Sequence, residues 1–327
     1  MTGISDSFAR PINYLRLSVT DRCNFRCIYC MPLQGIKTLD HSDILSYEEI
    51  MLVAEAAAGL GINKVRLTGG EPLVRADLSN LVEMLSAIDG IDDLTLTTNG
   101  SLLRRHAREL KDAGLSRVNI SLDTLRPERF EQITRFGRLE EVLRGAETAG
   151  AAGLYPIKFN TVVMRGINDD EITDFARKTI EDGWHVRFIE FMPIGESSGE
   201  NNGRFISIAE ITEHIEKLGT LETGKLDGNG PAKYYRLPGA TGTIGFISPI
   251  SNHFCYQCNR LRLTADGKLR PCLLSDDEID LRGPLREGAS ADDLKRLIEK
   301  AIESKPKGHS LGSGGTGWNR NMCQIGG

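Results

Sequence analysis

The sequence predicts an α/β protein built on a parallel sheet, and two observations carry that prediction. Strand-like and helical stretches alternate six times from residue 14 to beyond residue 207, and such alternation is the signature of right-handed strand–helix–strand crossovers. The strands also carry polar residues at every second position, where a parallel strand buried on both faces should be almost wholly apolar. The polar sets are Arg16 and Ser18; Arg66 and Thr68; Thr95 and Thr97; Asn119, Ser121 and Asp123; Lys158 and Asn160; His185 and Arg187. Period-two geometry puts each set on one face. Read as a barrel, that face is a lumen, and a lumen of Arg, Lys, Ser, Thr and Asn is a cavity for a polar, anionic ligand. The alternative is a half-exposed sheet with ordinary polar edges. Six units fall short of the eight of a closed barrel, so an open partial barrel and a doubly wound sheet both fit.

The first strand, residues 14–20, delivers a cysteine loop. Ser46 and Glu49 form a capping box, in which a Ser oxygen and a Glu three residues on satisfy helix-end N–H groups; the helix ends near Gly59. Strand 64–68 precedes a helix at 77–88, and strand 94–98 a helix at 102–113 that stops at Gly114. Strand 117–122 is followed by helical sequence to about residue 149. Strand 156–164 precedes a helix at 169–182, and strand 185–191 leads to a second capping box, Ser207 with Glu210. Residues 219–231 are Gly-rich and charged, as in a linker, dividing a barrel region, 1–225, from a C-terminal region, 226–327. There, short strands at 233–237, 243–247 and 260–264 are followed by an Asp266-Gly267 hairpin turn and a helix at 291–303. The Gly-, Ser- and Asn-rich tail, 305–327, is expected to be flexible by itself.

Composition narrows the function classes. A formal net charge of -5 over 327 residues gives no global basic field for nucleic acid, so an anionic substrate needs local cations. Six of seven cysteines fall into two triplets, and Cys323 is left over with no assigned role. Clustered, odd-numbered cysteines point to metal ligands in a reducing cytoplasm rather than a secreted disulfide scaffold. The first residues lack the apolar core of a signal peptide, and no stretch is long and apolar enough to span a membrane.

Cys23, Cys27 and Cys30 have the spacing Cys-x3-Cys-x2-Cys. Thiolates so spaced wrap one soft metal centre, and iron–sulfur clusters are held by Cys. Three ligands on a four-iron cubane leave one iron open. Zinc would want a fourth Cys or His close by, and the nearest His, His41, lies beyond a Met-Pro-Leu-Gln-Gly turn. With Tyr29 just before the third cysteine, the loop resembles that of the radical S-adenosylmethionine (SAM) enzymes. The resemblance implies a 4Fe-4S cluster whose open iron takes the amino and carboxylate groups of SAM. Gly69-Gly70-Glu71-Pro72 directly follows the second strand. A glycine pair at a strand's carboxyl end admits a ligand close to the backbone. Beside the cysteine loop it resembles the motif that holds the methionyl amino group in these enzymes. The same resemblance favours a partial (β/α)6 barrel of the radical SAM type with a C-terminal cluster-binding extension.

The second triplet is Cys255-x2-Cys258-x13-Cys272. It could be structural zinc with His253 as fourth ligand, or a second cluster with another open iron. Cys258-Asn259-Arg260-Leu261-Arg262 favours the cluster, because it sets two arginines on one strand face. Arg offers a planar fork to phosphate oxygens, which a zinc knuckle has no need of. Both triplets, the glycine motif, Asn259-Arg260-Leu261-Arg262 and the final Gly326-Gly327 together resemble one radical SAM family, which begins molybdenum cofactor biosynthesis by cyclising GTP. That resemblance runs from residue 14 to 327.

Its implications can be written residue by residue. Cys23, Cys27 and Cys30 hold the SAM cluster, and Cys255, Cys258 and Cys272 a second 4Fe-4S cluster whose open iron meets guanine. Tyr29, Gly70, Ser121 and Met192 contact SAM. Arg16, Arg66, Thr97, Lys158, Arg260 and Arg262 contact GTP. Gly326 and Gly327 reach into the active site and are needed for the chemistry. The implied reaction passes an electron to SAM, and a 5'-deoxyadenosyl radical takes the 3' hydrogen of GTP ribose. The carbon radical then closes on guanine C8 to give 3',8-cyclo-7,8-dihydro-GTP. Implied partners are an electron donor and, downstream, cyclic pyranopterin monophosphate synthase, with room for a homodimer. The rival within the superfamily is a two-cluster enzyme that modifies a peptide. The rival outside it is a zinc-binding adaptor with two Cys knuckles.

Overall fold

The computed structural model describes residues 3–194, 203–226, 228, 230–309 and 320–326. The strand–helix units run as β1 (Tyr14–Ser18), α1 (Tyr47–Gly59), β2 (Lys64–Thr68), α2 (Leu78–Ser86), β3 (Asp93–Thr98), α3 (Leu103–Asp112), β4 (Arg117–Ser121), α4 (Pro127–Thr134), α5 (Leu139–Ala151), β5 (Lys158–Val163), α6 (Ile172–Glu181), β6 (His185–Glu190) and α7 (Ile208–Glu216). The capping boxes at Ser46 and Ser207 are both formed. The helical sequence after β4 divides in two, because Arg135 turns into the left-handed region (φ 67°). Gly137 then passes so close to Phe25 and Phe130 that a Cβ would lie 2.7 Å from each ring.

Beyond α7 come β7 (Glu222–Thr223) and, in the C-terminal region, β8 (Lys233–Arg236), β9 (Thr243–Ile247), β10 (Arg260–Leu263), β11 (Lys268–Arg270), β12 (Ile279–Asp280), α8 (Arg282–Arg286) and α9 (Ala291–Glu303). The twelve strands among the described residues form one open sheet in the order β12-β11-β10-β1-β2-β3-β4-β5-β6-β9-β8-β7. The expectation was six parallel strands. In fact β10 pairs parallel with β1 and β9 parallel with β6. The C-terminal region therefore extends both edges of the barrel sheet, so that residues 260–262 stand beside residues 14–16.

Apolar parity builds the core. Leu15, Leu17, Val65, Leu67, Leu96, Val118, Ile120, Val186 and Phe188 are buried in one hydrophobic cluster with residues of the helices. Burying each such side chain stabilises by roughly 1.5–3 kcal/mol. The polar parity is enclosed as well: Arg16, Ser18, Arg66, Thr68, Asn119, Lys158 and Arg187 are all buried. A half-exposed sheet is thereby excluded. Register then fixes a row of charge, with Arg262 beside Arg16, Arg16 beside Arg66, and Arg66 beside Thr95. Neighbouring strands lie about 4.8 Å apart, so three guanidinium groups stand shoulder to shoulder.

The tail is held by partners elsewhere in the fold. Residues 320–326 are seated on the protein rather than loose. Arg320 forks onto Asp266 (2.8 Å) and Glu278 (2.6 Å), and Cys323 and Ile325 are buried. A polar tail that gains such partners no longer has the freedom its composition implies. Gly327 lies outside the described residues. Among the described residues, no helix is long and apolar enough to cross a membrane.

Candidate active site

The first cysteine loop is locked to its neighbours by backbone bonds. Arg26 N–H donates to the Thr134 carbonyl (2.9 Å) and Ile28 N–H to that of Ile133 (3.0 Å). The Arg26 guanidinium caps the Cys23 and Phe25 carbonyls at 2.6 and 2.8 Å. Phe25 packs edge-on to Phe130. The glycine motif hooks onto the same loop: Gly70 N–H donates to the Thr20 carbonyl and Glu71 N–H to the Arg22 carbonyl, both at 2.8 Å. A Cβ on Gly70 would collide with the Arg22 carbonyl. Glycine at 70 is thus required by loop packing. The Glu71 carboxylate accepts from Thr98 Oγ1, the Asn99 N–H and the Leu73 N–H. Burial pushes it up to about 7 against those bonds. Tyr29 donates its hydroxyl to Asp123 (2.7 Å), which also accepts the Val162 N–H (2.8 Å).

Both triplets open on one cavity of about 300 Å³. Cys23, Cys27, Cys30, Cys255, Cys258 and Cys272 all line it. So do Tyr29, Gly70, Ser121 and Met192, together with Arg16, Arg66, Thr97, Arg260 and Arg262. Lys158 does not line the wall, although Asn160, two residues on, does. The Lys158 ammonium stands 5.7 Å from the Tyr234 ring centroid. Gly326 brings the tail into the arginine row. Its carbonyl accepts from Arg16 (Nη2, 2.9 Å) and from Arg262 (Nη1, 2.9 Å).

Crowded cations mark the site electrostatically. Burial, with Arg66, Arg260 and Arg187, lowers Arg16 to about 10 against the raising effect of Tyr14. Arg187 is lowered to about 10, chiefly by burial and also by Arg66. At neutral pH these groups remain charged, and like charges held out of water are costly unless an anion joins them. Polar atoms on the same face also want partners: Thr97 Oγ1, Asn160 Oδ1, Arg187 Nε and Tyr14 OH are buried without one among the described residues. Buried polar atoms are normally satisfied, so the face is made for a polar, anionic ligand.

The second triplet is placed by the N-terminus and the end of α9. Arg10 donates to the Cys255 carbonyl (2.7 Å) and, through its paired Asp6, is fixed at 2.6 Å. Lys305 bridges the Arg260 and Pro271 carbonyls at 2.8 and 2.6 Å. Burial would raise the Cys258 thiol, but Arg260 and Lys305 outweigh it and bring it to about 6. Cys23 goes the other way, pushed up to about 12 by burial and then by Glu71. Such a thiol is a thiolate only when metal takes its proton's place. Backbone N–H groups of Phe25 and Leu274 already point at the Cys23 and Cys272 sulfurs, each at 3.4 Å. This donor set suits sulfur-held clusters. Among the described residues, no three His, Cys, Asp or Glu side chains are gathered to hold a single metal ion. His253 packs edge-on to His309, with ring centroids 5.4 Å apart.

Sequence reasoning gave no role to several residues here. Arg187, Asn160 and Asp123 were on the polar parity, and Glu71 within the glycine motif. Arg10, Lys305 and His309 carry no local signal, because remote chain segments bring them in. Cys323, read as a tail thiol, is a buried wall residue.

Comparison with known proteins follows the same outline. The family model for the Radical SAM superfamily matches residues 17–179, and that for Molybdenum Cofactor Synthesis C matches residues 184–311. The GTP 3',8-cyclase of Heliobacterium modesticaldum is 55% identical over 326 residues, covering 98% of this chain and 99% of the relative. That of Pelotomaculum thermopropionicum is 54% identical over 328 residues, covering 99% of this chain and all (100%) of the relative. Among solved structures, Streptococcus suis SuiB bound to S-adenosylmethionine superposes with a TM-score of 0.62 at 13% identity, over 91% of this chain and 76% of SuiB. The protein anSMEcpe with bound AdoMet gives 0.60 at 14% identity, over 91% of this chain and 78% of that one. These two share the fold.

Proposed function

Because the chain belongs to the GTP 3',8-cyclase family, we infer that the cavity lined by both cysteine triplets is where S-adenosylmethionine and GTP meet. The chain is a radical SAM lyase that converts GTP to 3',8-cyclo-7,8-dihydro-GTP in molybdenum cofactor biosynthesis, using two 4Fe-4S clusters and SAM. The observation that carries this reading is the convergence of both cysteine triplets and the arginine row on one cavity. Arg16 lies on the strand that runs into the first triplet, and Arg260 and Arg262 on the strand that leaves the second.

Cys23, Cys27 and Cys30 hold the first cluster, with Tyr29, Gly70, Ser121 and Met192 around SAM. Cys255, Cys258 and Cys272 hold the second, and residues 226–327 form the part that carries it. Bound SAM and its reduced cluster supply the 5'-deoxyadenosyl radical that takes the ribose 3' hydrogen. The protein supplies position and charge. Arg16, Arg66 and Arg262 neutralise the triphosphate, while Arg260, held over Phe254 at 4.9 Å, and Thr97 complete its contacts. Lys158 adds a long-range positive charge behind the wall. Val162, Ile189 and Phe191 line the same cavity and keep water from a reactive centre. Holding two ligands in one geometry makes the hydrogen transfer effectively unimolecular. Gly326 closes the arginine row, and Gly326 and Gly327 are needed for the chemistry.

The product passes to cyclic pyranopterin monophosphate synthase, electrons come from a separate donor, and the site of action is the cytoplasm. The peptide-modifying reading has a fold precedent in SuiB, solved also with its precursor peptide SuiA, but gives the arginine row nothing to hold. Two variants test the assignment. Cys23→Ala should abolish SAM cleavage. Cys255→Ala should still release 5'-deoxyadenosine but leave GTP unchanged; full GTP conversion by Cys255→Ala would refute the second-cluster role.

A further inference from the structure

Three cysteines serve the first cluster, yet a fourth thiol reaches the same place. Cys323 sits on the short turn Met322–Gln324, closed by the Asn321 N–H donating to Gln324 Oε1 at 2.9 Å. It is buried, at 1% exposure. Its thiol meets the Cys30 thiol, and its backbone N–H also points at the Cys30 sulfur. Cys23, Cys27, Cys30 and Cys323 all line the one cavity.

This placement is built rather than incidental. Upstream, Arg320 is gripped by Asp266 and Glu278. Downstream, Ile325 packs with Ile194 and Leu274, and the Gly326 carbonyl is held by Arg16 and Arg262. The turn is therefore pinned on both sides of the cysteine, and the thiol is held buried at the cavity wall. A buried thiol beside a cluster with one unligated iron is a soft donor facing a soft acceptor.

We propose that Cys323 is a fourth, exchangeable ligand of the first cluster, capping its open iron when SAM is absent and yielding it when SAM binds. The proposal rests on the reading that Cys23, Cys27 and Cys30 hold that cluster. The exchange involves no redox change. One iron–sulfur bond breaks, and bonds from the amino nitrogen and carboxylate oxygen of SAM form. The proton that the SAM ammonium gives up on binding iron balances the one the departing thiolate takes up. The tail thus protects an otherwise open iron between turnovers and competes directly with SAM.

The test uses the reconstituted full chain under anaerobic conditions, reduced with dithionite. Electron paramagnetic resonance spectra are recorded with and without SAM, and SAM affinity is measured by equilibrium dialysis. Cys323→Ala should change the SAM-free spectrum, match the unsubstituted chain once SAM is bound, and bind SAM at least threefold tighter. Arg320→Ala, which frees the tail while keeping the thiol, should move both readouts the same way. Iron content should be equal in all three. A SAM-responsive signal whose SAM-free form is identical in Cys323→Ala and the unsubstituted chain would overturn the proposal alone. Absence of any SAM-responsive signal would overturn the first-cluster assignment and the proposal with it.

Discussion

Replacing Gly326 with alanine isolates the part the tail plays. Gly326 sits at φ 71°, and a Cβ there would lie 2.7 Å from Thr68 Cγ2 and 3.5 Å from Ser18 Cβ. An L-residue in the left-handed region costs roughly 1–2 kcal/mol, and the contact with Thr68 adds to that. The seated tail should therefore be disfavoured by at least about 5- to 30-fold. The assay is GTP conversion at saturating SAM and GTP, beside 5'-deoxyadenosine release and iron content. Gly326→Ala should lower the rate of GTP conversion by up to that factor and leave iron content unchanged. Thr68→Ser removes Cγ2 without altering the backbone demand. Measured against Thr68→Ser alone, the added Gly326→Ala change should therefore cost less than it does in the unsubstituted chain, while remaining costly. A Gly326→Ala enzyme with the unsubstituted rate, or a double variant with no relief, would refute the reasoning.

Further tests address stability and charge. Asp6→Asn leaves Arg10 charged and buried, at a cost of about 3–5 kcal/mol; denaturant unfolding should report it, and iron content should fall because Arg10 also holds the Cys255 carbonyl. Burial raises Glu71 from 4.5 to about 7 and Asp123 from 3.8 to about 6. The folded chain then binds more protons than the unfolded one in that range, so stability falls as pH rises from about 4 to about 7. A melting temperature series on cluster-free chain should show this, with Glu71→Gln flattening its upper half. Lys158 is lowered to about 7 by burial, then by Arg187, Arg117 and Arg66. A bound triphosphate should restore its charge, so GTP binding at pH 8 takes up protons; calorimetry in buffers of different ionisation enthalpy should detect the uptake, and Lys158→Met should abolish it.

Local chemistry made much of this molecule legible from sequence. The alternation of Arg16, Ser18, Arg66 and Thr68 with apolar neighbours gave both the strands and the enclosed polar face, because side-chain parity is a property of single strands. Ser46 and Ser207 marked helix starts for the same local reason. What stayed hidden depends on remote pairing. The segment Arg260–Leu263 reads as a strand, but nothing within it says that it lies parallel to β1 and puts Arg262 beside Arg16. Arg10 and Lys305 act on the second triplet from far along the chain. The partners that seat the tail, such as Asp266 and Glu278, were hidden for the same reason, because composition reports only a segment's own tendency.

The central claim is that one cavity brings SAM and GTP together for a radical cyclisation, and product analysis tests it most directly. Reconstituted protein, dithionite, SAM and GTP are combined anaerobically, and the products are separated and weighed by mass spectrometry. The account predicts 5'-deoxyadenosine together with a new species isomeric with GTP, formed only when both SAM and GTP are present. Release of 5'-deoxyadenosine with GTP unchanged would contradict it.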